Sequence, residues 1–129
     1  MRVLVATDGG GYGVDLETEE VEPANVLVAE GQPDVSLPRL VAAAVAGSTV
    51  VAVVDARPPM LVSHDAGVTW REAGRGLPLP GRAVAVDEAD PDTIVYASRN
   101  RLHLSTDGGR FWRTLGTELP EIRHVQLVT

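Results

Sequence analysis

The chain repeats itself at a spacing of 42 residues. One segment runs Leu61-Val62-Ser63-His64-Asp65-Ala66-Gly67-Val68-Thr69-Trp70-Arg71, and a second runs His103-Leu104-Ser105-Thr106-Asp107-Gly108-Gly109-Arg110-Phe111-Trp112-Arg113. Ser63, Asp65, Gly67, Trp70, Arg71 and Gly74 recur as Ser105, Asp107, Gly109, Trp112, Arg113 and Gly116, and Leu77-Pro78 recurs as Leu119-Pro120. A repeat of this length is one supersecondary unit that cannot bury its apolar face alone, so its copies must stack.

The pattern between the matched positions is β. Short runs rich in Val, Ile, Leu and Ala alternate with Gly, Pro and Asp clusters. Strands are expected near 39–46, 49–55, 60–64 and 69–73 in one unit, and near 82–87, 93–98, 101–105 and 111–115 in the next. No segment reads as a helix; the longest apolar stretch, Leu40 to Val54, is broken by Gly47-Ser48. Four strands per period of about 42 match one blade of a β-propeller. The ends supply a further blade. Arg2–Thr7, Gly13–Thr18 and Asn25–Ala29 are expected as its second, third and fourth strands. Its first strand is expected at the other end, where Arg123–Val128 follows Leu119-Pro120 as Arg82–Val86 follows Leu77-Pro78.

The expected fold is therefore all-β, about three four-stranded blades in a single domain spanning 1–129. The first blade is split between the termini (1–31 plus 122–129), and the others span 39–75 and 81–116. Propellers typically have about 4–8 blades. Two chains would make six, each C-terminal strand completing the N-terminal blade of its neighbour in a strand-exchanged homodimer.

Ser63-x-Asp65-x-Gly67-x-Thr69-Trp70 resembles the Asp-box, or BNR repeat, of sialidase-like, sortilin-like and photosystem-assembly-factor-like propellers. The second copy keeps Ser105, Asp107, Gly109 and Trp112, with Phe111 where Thr is usual. A degenerate third copy falls at Thr18-Glu19-Glu20. Such residues suit a tight hairpin: the Asp accepts from unpaired tip amides, Gly takes positive φ, and each Trp buries its ring between blades. The resemblance implies that the box joins the third and fourth strands, on the face away from the usual binding site. The expected role of both boxes is structural.

That leaves the opposite face for function. It is expected to carry the loops Asp8–Gly13, Asp55–Pro59 and Arg99–Arg101 and the links near 30–39, 74–82 and 116–123. Candidate ligand contacts there are Tyr12, Asp55, Arg57, Arg99 and Arg101. Arg39, Arg82 and Arg123 join them, each at the start of an innermost strand, where a ring of arginines would attract an anion. Local pairing with Asp or Glu is the competing expectation. All eleven basic residues are Arg, which a GC-rich coding sequence also explains.

Composition narrows the classes. A net charge of −7 disfavours nucleic acid and anionic membranes. No apolar run reaches the ~18 residues of a membrane span, and the apolar start is too short for a signal peptide, so a cytoplasmic protein is expected. Without cysteine there are no disulfides or thiolate metal sites. Asp87–Asp92 clusters carboxylates but lacks the spacing of a calcium loop and reads as a turn; no metal or cofactor is expected. The function expected is a non-enzymatic binding or scaffold module for a protein or an anionic small molecule. The alternative is a sialidase-like glycoside hydrolase, using Tyr12, Asp8 and Asp55 with arginines.

Overall fold

The computed structural model describes residues 1–26 and 35–128. Its described elements are twelve strands and no helix: β1 (Arg2–Thr7), β2 (Gly10–Asp15), β3 (Val21–Pro23), β4 (Leu40–Ala46), β5 (Thr49–Val54), β6 (Met60–Ser63), β7 (Arg71–Ala73), β8 (Ala83–Val86), β9 (Ile94–Ala97), β10 (Leu102–Ser105), β11 (Arg113–Thr114) and β12 (Ile122–Val128). They form three four-stranded antiparallel sheets, ordered β12-β1-β2-β3, β4-β5-β6-β7 and β8-β9-β10-β11. We call these sheets A, B and C. The all-β expectation and the sheet split between the two ends both hold.

Sheet C lies in the middle. Its inner strand β8 contacts both β4 and β12, which do not touch each other. Burial on both faces explains why β8 and β9 read as continuous apolar runs rather than alternating ones. Ala83, Ala85, Val95 and Ala97 face sheet A, packing with Val3, Val5, Val14, Leu16 and Val125. Val84, Val86, Ile94 and Tyr96 face sheet B, packing with Val51, Val53, Met60 and Val62. The side chains follow the wedge shape of stacked blades: small Ala42, Ala44, Ala83 and Ala85 sit on the inner strands, and larger Leu115 and Trp112 fill the wider outer gap. The outer strands β3, β7 and β11 are only three, three and two residues long, which keeps the exposed edges short.

Several details depart from expectation. The third strand of sheet A begins at Gly10 rather than Gly13, because β1 turns directly at Asp8-Gly9. Its fourth strand is Val21–Pro23; of the expected Asn25–Ala29, residues 27–29 lie outside the described residues, as does the tail of the 1–31 boundary. The turn between them is anchored by Asp15, whose Oδ1 accepts from Glu17 and Thr18 N–H at 2.8 and 3.0 Å, while Thr18 Oγ1 accepts from Glu20 N–H at 3.3 Å. Strand β12 pairs with β1 of its own chain over Arg2↔Val128 to Thr7↔Ile122, so sheet A needs no exchanged strand.

Candidate functional site

Two sets of loops leave opposite ends of the sheets. One end carries the β6–β7 and β10–β11 turns, built alike. Ser63 Oγ donates to Asp65 Oδ1 at 2.7 Å and accepts from Gly67 N–H at 2.8 Å, while Asp65 accepts from Thr69 N–H at 2.8 Å. Ser105 and Asp107 repeat this with Gly109 N–H at 2.9 Å and Phe111 N–H at 3.0 Å. Gly67 and Gly109 have φ of 89° and 91°, a conformation that favours glycine. Hydrogen bonds from Thr69 and Ser63 hold the Asp65 carboxyl down at about 2, and those from Phe111 and Ser105 lower Asp107. Every acceptor direction of these carboxylates that the turn uses points back into the turn. Asp87 and Asp90, near the same end, likewise accept from their own backbone at Ala89 and Asp92.

The opposite end carries the β1–β2, β5–β6 and β9–β10 connections and the links between sheets. Most of its cations are paired. Arg123 holds Asp8 through two bonds of 2.7 and 3.0 Å, which lowers the Asp8 carboxyl and raises the guanidinium. Arg82 Nη2 meets Glu121 at 2.8 Å, with Arg99 Nε 4.0 Å from the same oxygen. Arg82 Nε is buried without a partner among the described residues. Arg101 pairs with Glu118 at 2.7 Å. Arg39 precedes β4 with φ of 59°, and its carbonyl accepts from Asp55 N–H. Arg39, Arg82 and Arg123 thus mark the starts of the inner strands, but Arg82 and Arg123 are engaged by carboxylates from Glu121 and Asp8. Tyr12 is not a loop residue. It lies within β2 opposite Val5 and Pro23, packed against the core between sheets A and C. Of the residues expected for sialidase-like chemistry, the Asp8 carboxylate is held by Arg123 and Tyr12 lies within β2.

What this end does bring together is a groove of about 550 Å³ between the β5–β6 loop and the β7–β8 link. Pro58, Pro59, Leu77 and Leu79 supply its apolar walls, and Arg57, Arg75 and Glu72 its charges. Its volume falls within the range of small ligand sites, roughly 300–1,000 Å³. The walls are fixed from beneath: Val54 N–H donates to Pro59 O at 2.8 Å, Leu77 N–H to Gly74 O at 3.1 Å, and the Tyr96 hydroxyl to Pro78 O at 2.9 Å. Arg75 is 3.8 Å from Glu72, an exposed pair worth little. Arg57 is exposed and makes no ion pair among the described residues. Of the expected contacts, Arg57 belongs to this groove. The 74–82 link was expected on this face, but Arg75, Leu77 and Leu79 within it were not singled out.

No family model matches the chain, and no curated protein matches it. Solved structures do. "YCF48 bound to D1 peptide" has a TM-score of 0.54 and 19% identity, over 93% of this chain and 37% of that one. YCF48 from Cyanidioschyzon merolae has a TM-score of 0.53 and 22% identity, over 91% and 33%. A GH74 enzyme from Niastella koreensis has a TM-score of 0.52 and 21% identity, over 92% and 18%. The chain spans about a third of the length of the first two. The likeness shows a propeller-like fold, of which the three sheets are a part.

Proposed function

We propose that the chain is a binding scaffold whose Arg57 groove captures an extended polypeptide segment bearing a carboxylate. The observation that carries this reading is the groove itself. Its walls are prolines and leucines fixed by the Tyr96 and Val54 hydrogen bonds, and Arg57 at its rim makes no ion pair among the described residues. A pre-shaped groove loses little side-chain freedom on binding. Prolines and leucines make apolar contact with a peptide's side chains, and a guanidinium takes a carboxylate in a bidentate fork. The likeness to a propeller solved with a peptide bound supports a polypeptide over a small anion. On this reading the Ser63–Trp70 and Ser105–Trp112 turns are Asp-boxes that hold the blades and take no part in binding.

Short fluorescein-labelled peptides test it, an acidic-apolar set against a charge-reversed set, read by fluorescence anisotropy. The acidic-apolar set should bind. Arg57→Ala should weaken the tightest of them about tenfold, the loss of one charge-assisted hydrogen bond. Arg39→Ala, outside the groove, should leave affinity unchanged. Equal binding by Arg57→Ala and the parent, or no binding by any peptide, would overturn the reading.

A further inference from the structure

The two junctions between sheets share one construction. Arg71, at the start of β7, donates from Nη2 to the Gly108 carbonyl in the turn of the following sheet. Arg113, its counterpart 42 residues on, donates from Nη2 to the Leu16 carbonyl at 2.7 Å. Each time, a cation on the face of one sheet meets a turn carbonyl of the next. On the other face of sheet C, Trp112 packs into the B–C junction, edge-on to Tyr96 at 6.2 Å.

Among the described residues no sheet packs on the outward face of sheet A, that of Leu4, Gly13 and Glu22. In β3 the place of Arg71 and Arg113 is taken by Glu22, which pairs with Gly13 and through it with Leu4, as Arg71 pairs with Val62 and through it with Val51. Arg2 brings the cation to that spot. Its guanidinium lies against Gly13, where an added Cβ would come within 2.2 Å of Nη2, and it meets Glu22 at 3.1 Å. The Arg2 side chain is 44% exposed on this outward face.

Among the described residues no sheet packs on the outward face of sheet B. Its turn holds Ala66 at φ of 59°, as the next turn holds Gly108 at 76°. The Ala66 amide donates to Ser48 O at 2.9 Å, as that of Gly108 donates to Asp92 O at 2.9 Å. The Ala66 carbonyl is thus the counterpart of the one Arg71 uses, and Ala66 is exposed. Beside it Trp70, counterpart of Trp112, opens with Val45 and Val35 onto a cavity of about 340 Å³, and Val45 is 41% exposed.

We infer that a second copy of this chain closes both open faces, with Arg2 of each protomer donating to the Ala66 carbonyl of the other. One two-fold rotation sets sheet A against the partner's sheet B and sheet B against the partner's sheet A, so a single partner covers both faces. The ring then has six blades, within the usual range of about 4–8. The cation of one face meets the Ala66 turn carbonyl of the other, and the cavity beside Trp70 receives the blade that carries Arg2. This does not depend on the groove at the other end of the sheets.

Sedimentation equilibrium of the full chain tests it, with circular dichroism to show that each variant is folded. The parent should sediment at twice its 13.6 kDa chain mass at concentrations up to about 100 µM, a range that includes weak dimers. Val45→Asp places a charge in the seam and should shift the equilibrium to monomer. Arg2→Met removes the exposed Arg2–Glu22 pair, which contributes little to the monomer, and should weaken association about tenfold, as expected for one charged hydrogen bond. A parent that stays monomeric at every concentration, or an Arg2→Met protein that associates as tightly as the parent, would overturn the inference.

Discussion

Tyr96→Ala is expected to lower the unfolding free energy by about 3–5 kcal/mol, the range for truncating a large buried aromatic. Tyr96 has no exposed surface and packs in the core between sheets B and C. Its ring lies 5.7 Å from that of His103 and 6.2 Å from that of Trp112. The change would leave a cavity where sheets B and C meet the β7–β8 link, and would also free the Pro78 carbonyl. Tyr96→Phe separates the two effects. It keeps the packing and loses the hydroxyl, so it should cost about 1–2 kcal/mol and loosen the Pro78 wall of the groove. Phe111→Ala is the control, since Phe111 is 79% exposed and should change stability by less than about 0.5 kcal/mol. Urea unfolding measures all three. A loss below about 1 kcal/mol for Tyr96→Ala would mean that the B–C junction is not packed as described.

Acid should destabilise the fold in two separate steps. His103 is 1% exposed, with Nε2 3.1 Å from Ser98 Oγ and Nδ1 2.8 Å from Thr114 Oγ1. Burial, with a smaller push from Arg101, brings its pKa down from 6.5 to about 4. Between these values the unfolded chain takes up a proton that the folded chain refuses. Stability is therefore full above about pH 6.5 and falls as the pH drops to about 4, by on the order of 3 kcal/mol. Burial lowers His124 too, so it acts in the same direction. The second step belongs to the turn carboxylates. Asp65, held at about 2, and Asp107 keep their charge in the fold after the unfolded chain has begun to protonate near 3.8. Their contribution is present above that pH and is lost as it falls toward 2. Urea unfolding from pH 8 to pH 2 should show both limbs. His103→Gln should flatten the upper limb and leave the lower one. An upper limb of unchanged slope would remove His103 as its cause.

The blade architecture was legible because it rests on local chemistry repeated at a fixed interval. Asp65 and Asp107 sit in the same kind of turn for the same reason, and the 42-residue shift measured the unit directly. Sheet A was read less well, since it lacks that turn. Asp15 does the work from the strand end, three residues before the degenerate match, and β2 and β3 start earlier than expected. Tyr12 was misplaced for the same reason: Gly9-Gly10-Gly11 reads as a loop, yet Gly10 and Gly11 pair with Thr7 and Ala6.

The site was mostly not legible. Arginines at strand starts could be counted, but whether each was paired depended on Asp8 and Glu121, which lie 115 and 39 residues away along the chain. Glu121 follows Leu119-Pro120, a recurrence that gave no hint of a counter-ion. The recurrence of Arg71 as Arg113 was visible, but its meaning was not. Only the distance to the Gly108 and Leu16 carbonyls shows these residues tying one blade to the next. Long-range pairing of this kind leaves no local periodicity, so a single sequence does not reveal it.

The proposed division of labour has the Asp65 and Asp107 turns hold the blades while the opposite end of the sheets binds. Amide hydrogen exchange, with and without the tightest-binding labelled peptide, tests this most directly. Added protection is expected in the β5–β6 loop around Arg57 and in the link from Gly74 to Leu79, with the Ser63–Arg71 and Ser105–Arg113 turns unchanged. Protection centred on those two turns, with none around Arg57, would contradict the account.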